Sequence, residues 1–477
     1  MESREKAGTR RHTIHSDRWK TGCILGLALT LCVCNPGIWP SGVALGQARG
    51  DRLVLIRNAA LVLTMDPGLG TGPLGVLEGG DVLFDQEKII AVGRGLDAQG
   101  AEILDGTDRI VLPGFVDLHD HLLQSGIRGC GTHLDLIGWL AACARKLSNL
   151  ELSGAETAAL VRLSTLGLIA TGVTTVVDLV GPFSREAAEG HIGALADSGL
   201  RFAFAYRAAR TGGAEELRRT KRELIDPNPR ASLQVLAVPT PQELPWSTQV
   251  ARELGVLLHV HLLENIAQRQ EAQFEALVDA NALGSNLLVA HAIHLTDAEI
   301  AALAAHDVRV AHNPLSNMRL ASGIIRFPEL PQAGLKLGLG LDGGTNDTAD
   351  MFNNIRAAVG LQRAKHLSAS AYPTVPDVLR LATLGGAEAL GMSSRIGSLT
   401  PGKQADLLVL TPRNINFAPR FDWISQIVFN GQPENVEWVF VAGRPLKAKG
   451  RLVGVNEDNI IETAETVAQR IRAALSR

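Results

Sequence analysis

Aromatic residues are scarce in this chain of 477 residues: they make up 4%, and only two are tyrosines. A core with so few rings must be built from Ala, Val and Leu, and 49 glycines point to many tight turns. Together these suit an alternating α/β architecture. An excess of one charge is lacking too. The 46 basic and 49 acidic side chains leave a net charge of −3, which gives no electrostatic reason to expect a nucleic acid partner. Cysteine is limited to five positions, and Cys23, Cys32 and Cys34 all fall near the start. The other two, Cys130 and Cys143, have no CxxC spacing, so neither a disulfide framework nor a cysteine zinc site is expected. Both read as ordinary buried thiols. With 46% hydrophobic and 20% charged residues, the chain is neither disordered nor collagen-like.

Long uncharged runs are also rare, which excludes a multi-span membrane protein. The single exception lies at the start. Arg4, Lys6, Arg10, Arg11, Arg18 and Lys20 precede an uncharged stretch over 21–48, which opens with the apolar "TGCILGLALTLCVC" and ends in the small residues of "SGVALGQA". This is the order of an export signal, with cleavage expected near Gly46 or Ala48. Asn35, Pro36 and Pro40 interrupt the run, so no stable membrane span is expected. With a signal peptide over 1–48 the protein is periplasmic or secreted; with a start codon placed too far upstream it is cytoplasmic.

Residues 49–113 contain short alternating runs joined by Gly-Asp and Asp-Gly turns, and 391–455 repeat that character in "GSLTPGKQADLLVL" and "VEWVFVAGRPLKAKGRLV". Between them, over 114–390, eight short apolar strands alternate with helical patterns: "GFVDLHDHLL", "GVTTVVDLV", "RFAFAYRAA", "SLQVLAVPT", "GVLLHVHLLE", "NLLVAHAIHL", "DVRVAHNPL" and "KLGLGLDGG". Eight strand–helix units predict a (β/α)8 barrel, with the two β-rich flanks folded together as a small β-sandwich domain and a C-terminal helix over 456–477.

Barrel chemistry sits at the C-terminal ends of strands. There the sequence places His119 and His121 (strand one), His259, His261 and Glu264 (strand five), His291 and His294 (strand six), His312 (strand seven) and Asp342 (strand eight). His119 and His121, two residues apart, share a face and form a natural pair of ligands for a divalent metal. So many buried polar groups are costly unless they are paired or liganding. Asp120 points the other way, as a structural hydrogen bonder. His259 reads as a satisfied core histidine, His294 as a loop residue that competes with His291, and His312 as shaping its turn. Arg128 and Trp139 read equally as lining a substrate mouth or as surface and core-edge residues.

The motifs "PGFVDLHDHLL", "LHVHLLEN", "AHAIHLTDAE", "HNPLSNMRLASG" and "GLGLDGG" resemble, in order, those of the metal-dependent amidohydrolase superfamily. The nearest branch holds methylthioadenosine/S-adenosylhomocysteine deaminases, guanine-type deaminases and triazine hydrolases. The resemblance spans about residues 50–450. It implies metal ligation by His119, His121, His261 and Asp342, with Glu264 as proton shuttle. His291 would orient the attacking water or join the metal shell. Strand four has no lysine at its end, which argues for one Zn²⁺ or Fe²⁺ ion rather than a carbamylated-lysine pair of ions. A divalent ion lowers the pKa of water to about 7, and Asp342 and Glu264 would then handle the protons. The implied reaction is hydrolysis of a non-peptide C–N bond in a small molecule, by deamination or amide-type cleavage. The same site would serve an ester, lactone or C–Cl bond, whereas a binding homologue would be expected to have lost its ligands. A homodimer is also implied.

Two features depart from the adenosine-type pattern. Where such enzymes place a ribose-clamping acid after "WL", this chain has Ser148 or Asn149, with Glu151 the nearest carboxylate. Their histidine after strand four is replaced here by Thr240 or Gln242. The expected substrate is therefore a nitrogen-rich heterocycle, guanidine or amide compound that is not adenosine-like.

Overall fold

The computed structural model describes residues 53–181, 184–343 and 348–476. The leader expected over 1–48 lies outside the described residues.

Each of the eight apolar runs forms a parallel strand. In order they are Phe115–Asp120, Val173–Val180, Arg201–Tyr206, Ala231–Ala237, Leu257–Leu262, Leu287–His291, Arg309–His312 and Lys336–Leu339. They pair in sequence order in one eight-stranded sheet. The first three are buried along their whole length, as strands covered on both faces must be. Strands one and eight meet where Asp342 N donates to His119 O at 2.7 Å and Leu341 N donates to Asp117 Oδ1 at 2.9 Å. Gly340 permits this closure. A Cβ there would lie 2.4 Å from Asn313 Oδ1 and 2.7 Å from His119 Cβ.

Helices between the strands include Gly154–Ala170 and Asp297–Ala305. Each starts with a reciprocal capping box, Ser153 with Glu156 and Thr296 with Glu299. The flanks combine in a separate nine-stranded mixed sheet. Its seam is Leu407–Leu410 running antiparallel to Ile110–Pro113, over a core that includes Ile56, Phe84, Val111 and Phe440. The buried Arg201 guanidinium ties barrel to sheet by a two-pronged pair with Asp406, Nε to Oδ2 at 3.0 Å and Nη2 to Oδ1 at 3.3 Å.

Cys130 and Cys143 are not the free thiols that spacing suggested. They form a disulfide, with Cα atoms 6.1 Å apart. The intervening chain passes through the helical turn Leu136–Trp139, where the Asp135 side chain accepts from Gly138 N, and residues 13 positions apart come within bridging range. The C-terminal helix Glu457–Leu475 packs Ala464, Val467 and Ile471 against this region. Among the described residues no helix is long and apolar enough to cross a membrane.

Candidate metal centre

His119 is fully buried at the end of strand one, and its imidazole is oriented through a chain of hydrogen bonds. Gln234, on strand four, accepts at Oε1 from His259 Nδ1 at 3.0 Å. With that proton on Nδ1, His259 Nε2 is an acceptor and takes the Nδ1 proton of His119, also at 3.0 Å. His119 Nε2 is therefore bare, and it is buried with no hydrogen-bond partner. His121 reaches the same state differently. Its Nδ1 donates to Leu179 O at 3.1 Å, leaving Nε2 as a lone pair.

These bare nitrogens converge. Asp342 Oδ1 lies 3.4 Å from both His119 Nε2 and His121 Nε2, and His121 Nε2 lies 3.4 Å from His261 Nε2. Donors about 2.0–2.1 Å from one ion at tetrahedral angles stand roughly 3.3–3.4 Å apart, so the spacing suits a small divalent ion. Protonation does not compete, because burial holds His119 and His261 well below the ordinary histidine range, with neighbouring histidines adding to the shift. Three imidazoles and a carboxylate form a set that could hold zinc or iron.

Three of the candidate side chains leave strands five, six and eight where the backbone is left-handed. His291 has φ +70° and Asp342 φ +50°, and Leu263, just before Glu264, has φ +47°. Non-glycine residues in this region concentrate at functional sites, where the surrounding structure holds them. Leu263 N donates to Gln273 Oε1 at 2.9 Å, which fixes the turn carrying Glu264. Glu264 Oε1 is buried without a partner, and Oε2 stands 3.5 Å from His291 Nε2. Burial, reinforced by the Asp342 charge, raises the Glu264 carboxyl well above the usual range. Asn317 donates to His291 Nδ1 at 2.8 Å, so with that amide as oriented the His291 proton is on Nε2. It faces Glu264 and Asp342, the latter at 3.7 Å.

The remaining candidates separate cleanly. Asp120 Oδ1 accepts from His121 N at 2.7 Å, and burial pushes its carboxyl up to about 7. His259 supports His119 rather than joining the donors, a role whose partner, Gln234, lies on another strand. His294 donates to Ser322 O at 2.8 Å. His312 packs on Phe327 with ring centres 4.5 Å apart, and burial lowers its pKa to about 3. His191, which no sequence motif singled out, pairs with the buried Asp178, whose other oxygen accepts from Leu122 N at 3.1 Å. Arg128 lies in a separate groove along the C-terminal helix, whereas Trp139 faces the donor cluster across a cavity.

That cavity has a volume of about 410 Å³ and reaches His121, His261, Glu264, His291 and Asp342 at its floor. Ser148 is on its rim, but Thr240 and Gln242 are not among its lining residues. Arg207 also faces it, clamped by Glu243 through bonds of 2.8 and 2.7 Å.

A nearly closed parallel barrel with a His/Asp donor cluster at its strand ends defines a metal-dependent hydrolase scaffold. The amidohydrolase family model matches residues 110–446, and the chain belongs to that family. A 5-methylthioadenosine/S-adenosylhomocysteine deaminase of Bacillus cereus is 30% identical over 411 residues, covering 81% of this chain and 93% of its own. A 5'-deoxyadenosine deaminase of Methanococcoides burtonii is 29% identical, with 87% and 97% covered. Among solved structures, a zinc-bound adenosine deaminase from Xanthomonas campestris superposes with TM-score 0.76 at 26% identity, covering 88% and 98%. Atrazine chlorohydrolase from Arthrobacter aurescens, complexed with zinc, shares the fold with TM-score 0.79 at 23% identity, covering 87% and 100%.

Proposed function

We propose that the protein is a zinc-dependent hydrolase that cleaves an exocyclic or amide-type C–N bond of a neutral, nitrogen-rich small molecule. The observation that carries this reading is the approach of Asp342 Oδ1 to the bare His119 and His121 nitrogens at 3.4 Å, with His261 Nε2 3.4 Å from that of His121. These four residues would hold one ion, which when bound supplies Lewis acidity and an activated water. Asp342 takes the proton that the attacking water loses. Glu264, kept protonated by its burial, gives its proton to the ring nitrogen or departing amine. The Nε2 proton of His291 is placed to stabilise negative charge developing on the attacked carbon's substituent. The zinc-bound relative favours zinc over iron at this donor set.

The names of the relatives make aminopurine nucleosides the direct alternative substrates. Against them stand Ser148 on the cavity rim, where a ribose-clamping carboxylate would be needed, and the position of Thr240 and Gln242 away from the lining. A steady-state ammonia-release assay of zinc-loaded protein on 5'-deoxyadenosine, methylthioadenosine and a panel of amino-azines, guanidines and amides decides the matter. We expect turnover of the azine or amide class; efficient turnover of the nucleosides instead would sink the non-nucleoside reading.

Export is part of the same proposal. Disulfides persist in oxidising compartments, and the Cys130–Cys143 bond supports the basic-then-apolar leader as a cleaved signal. N-terminal sequencing of the protein recovered from a periplasmic or culture fraction is expected to begin near residue 47 or 49.

A further inference from the structure

Between strand one and the helix Gly154–Ala170 the chain makes an excursion of more than thirty residues, far longer than ordinary barrel loops. Such a loop is expected to be functional or disordered, and this one is highly structured. It builds its own hydrophobic cluster, separate from the barrel core and completed by the C-terminal helix. Asp135 caps its central turn, Arg319 donates to Gly131 O at 3.3 Å, and the Cys130–Cys143 bond closes it. A Cβ on Gly131 would sit 3.1 Å from Cys143 Sγ, so the chain passes tightly beside the bridge.

The inner face of this segment is the cavity wall above the donor cluster. Leu123, Leu136, Trp139 and Leu147 are buried in the cluster and line the cavity at once, while Ile137 and Leu140 border it with more exposure. Its only charged lining residue, Arg145, is exposed, and Arg207 across the cavity is already neutralised by Glu243. Apart from Arg145 at its exposed edge, a wall of this kind offers dispersion and exclusion of water rather than a counter-charge for an anionic group.

We propose that the disulfide-closed segment 122–148 is the specificity element of the site. It takes a hydrophobic substituent, an aryl or branched alkyl group, on the carbon skeleton that bears the scissile C–N bond. The Cys130–Cys143 bond holds that wall in shape. The inference rests on the metal-centre reading above and adds what the centre acts upon.

Two probes with one metal-binding head test it: acetohydroxamate and phenylacetohydroxamate, titrated calorimetrically into the full-length zinc-loaded protein. The phenyl probe is expected to bind about tenfold tighter or better. Replacing two partly exposed wall residues, Ile137→Asn with Leu140→Asn, is expected to bring that ratio close to one while leaving acetohydroxamate affinity and zinc content unchanged. Reduction with a phosphine, or the Cys130→Ser/Cys143→Ser pair, is expected to lower the ratio several-fold with zinc retained. Equal binding of the two probes by the unaltered protein overturns the specificity wall alone. A ratio indifferent to reduction and to the cysteine variants overturns the role of the bridge. If neither probe binds, the metal centre itself fails and the inference falls with it.

Discussion

Gln234 touches neither the cavity nor the donor cluster, yet it selects which nitrogen of His119 is bare. Gln234→Leu frees His259 to take its other tautomer and removes the acceptor for the His119 Nδ1 proton. Zinc affinity, measured by competition with a chelator, is expected to fall about 10–100-fold, and Gln234→Glu, which keeps an acceptor, to restore most of it. His291 should behave in the opposite way. Because Asn317 occupies its Nδ1, His291→Ala is expected to hold zinc within a few-fold and to lower kcat by roughly 10²–10³. The convergent histidines were legible in the sequence because buried imidazoles at successive strand ends are costly without a purpose. Gln234 and Asn317 were not. A lone glutamine in "SLQVLAV" and an asparagine in "HNPLSN" look like ordinary strand and turn residues until their partners on other strands are placed beside them.

At the level of elements, the eight strands could be read from runs of apolar residues, since fully buried parallel strands write themselves as unbroken hydrophobic text. The excursion after strand one could not. Its fold depends on a bridge across 13 residues and on packing with a helix over 300 residues away, neither of which leaves a local period. The union of the two flanks was legible as similar composition, but not the pairing of Leu407–Leu410 with Ile110–Pro113 that achieves it. One ion pair fastens that union to the barrel. Arg201→Met strands the buried Asp406 carboxylate and is expected to cost about 3–5 kcal/mol in urea unfolding, whereas Arg201→Met with Asp406→Leu should recover part of the loss.

Over the whole molecule, a buried histidine away from the donor cluster gives a definite contribution to acid sensitivity. His312 stays neutral in the folded state, with its pKa lowered by burial to about 3, while in the unfolded chain it protonates near its ordinary value of about 6.5. The unfolded state therefore binds the extra proton, and stability falls as pH drops below about 6.5 and continues to fall toward about 3. The slope is about 1.4 kcal/mol per pH unit for this one group. Metal-free His312→Asn protein is expected to show a shallower loss between pH 6.5 and 4.5 by that amount, followed by urea midpoints at each pH. The buried His119, His261 and His291 act in the same direction in the metal-free protein.

The helix Glu457–Leu475 ends the described chain, with the Leu475 carbonyl accepting from Lys146 Nζ at 2.9 Å beside the excursion after strand one. A polypeptide made from its first residue onward thus finishes its barrel strands, its donors and the two bridged cysteines long before it makes the side chains that back the cavity wall. During synthesis the barrel is complete in sequence while its mouth still has no support behind it. The last twenty residues act as a keystone set after the arch. A tag fused at this end would press on the keystone.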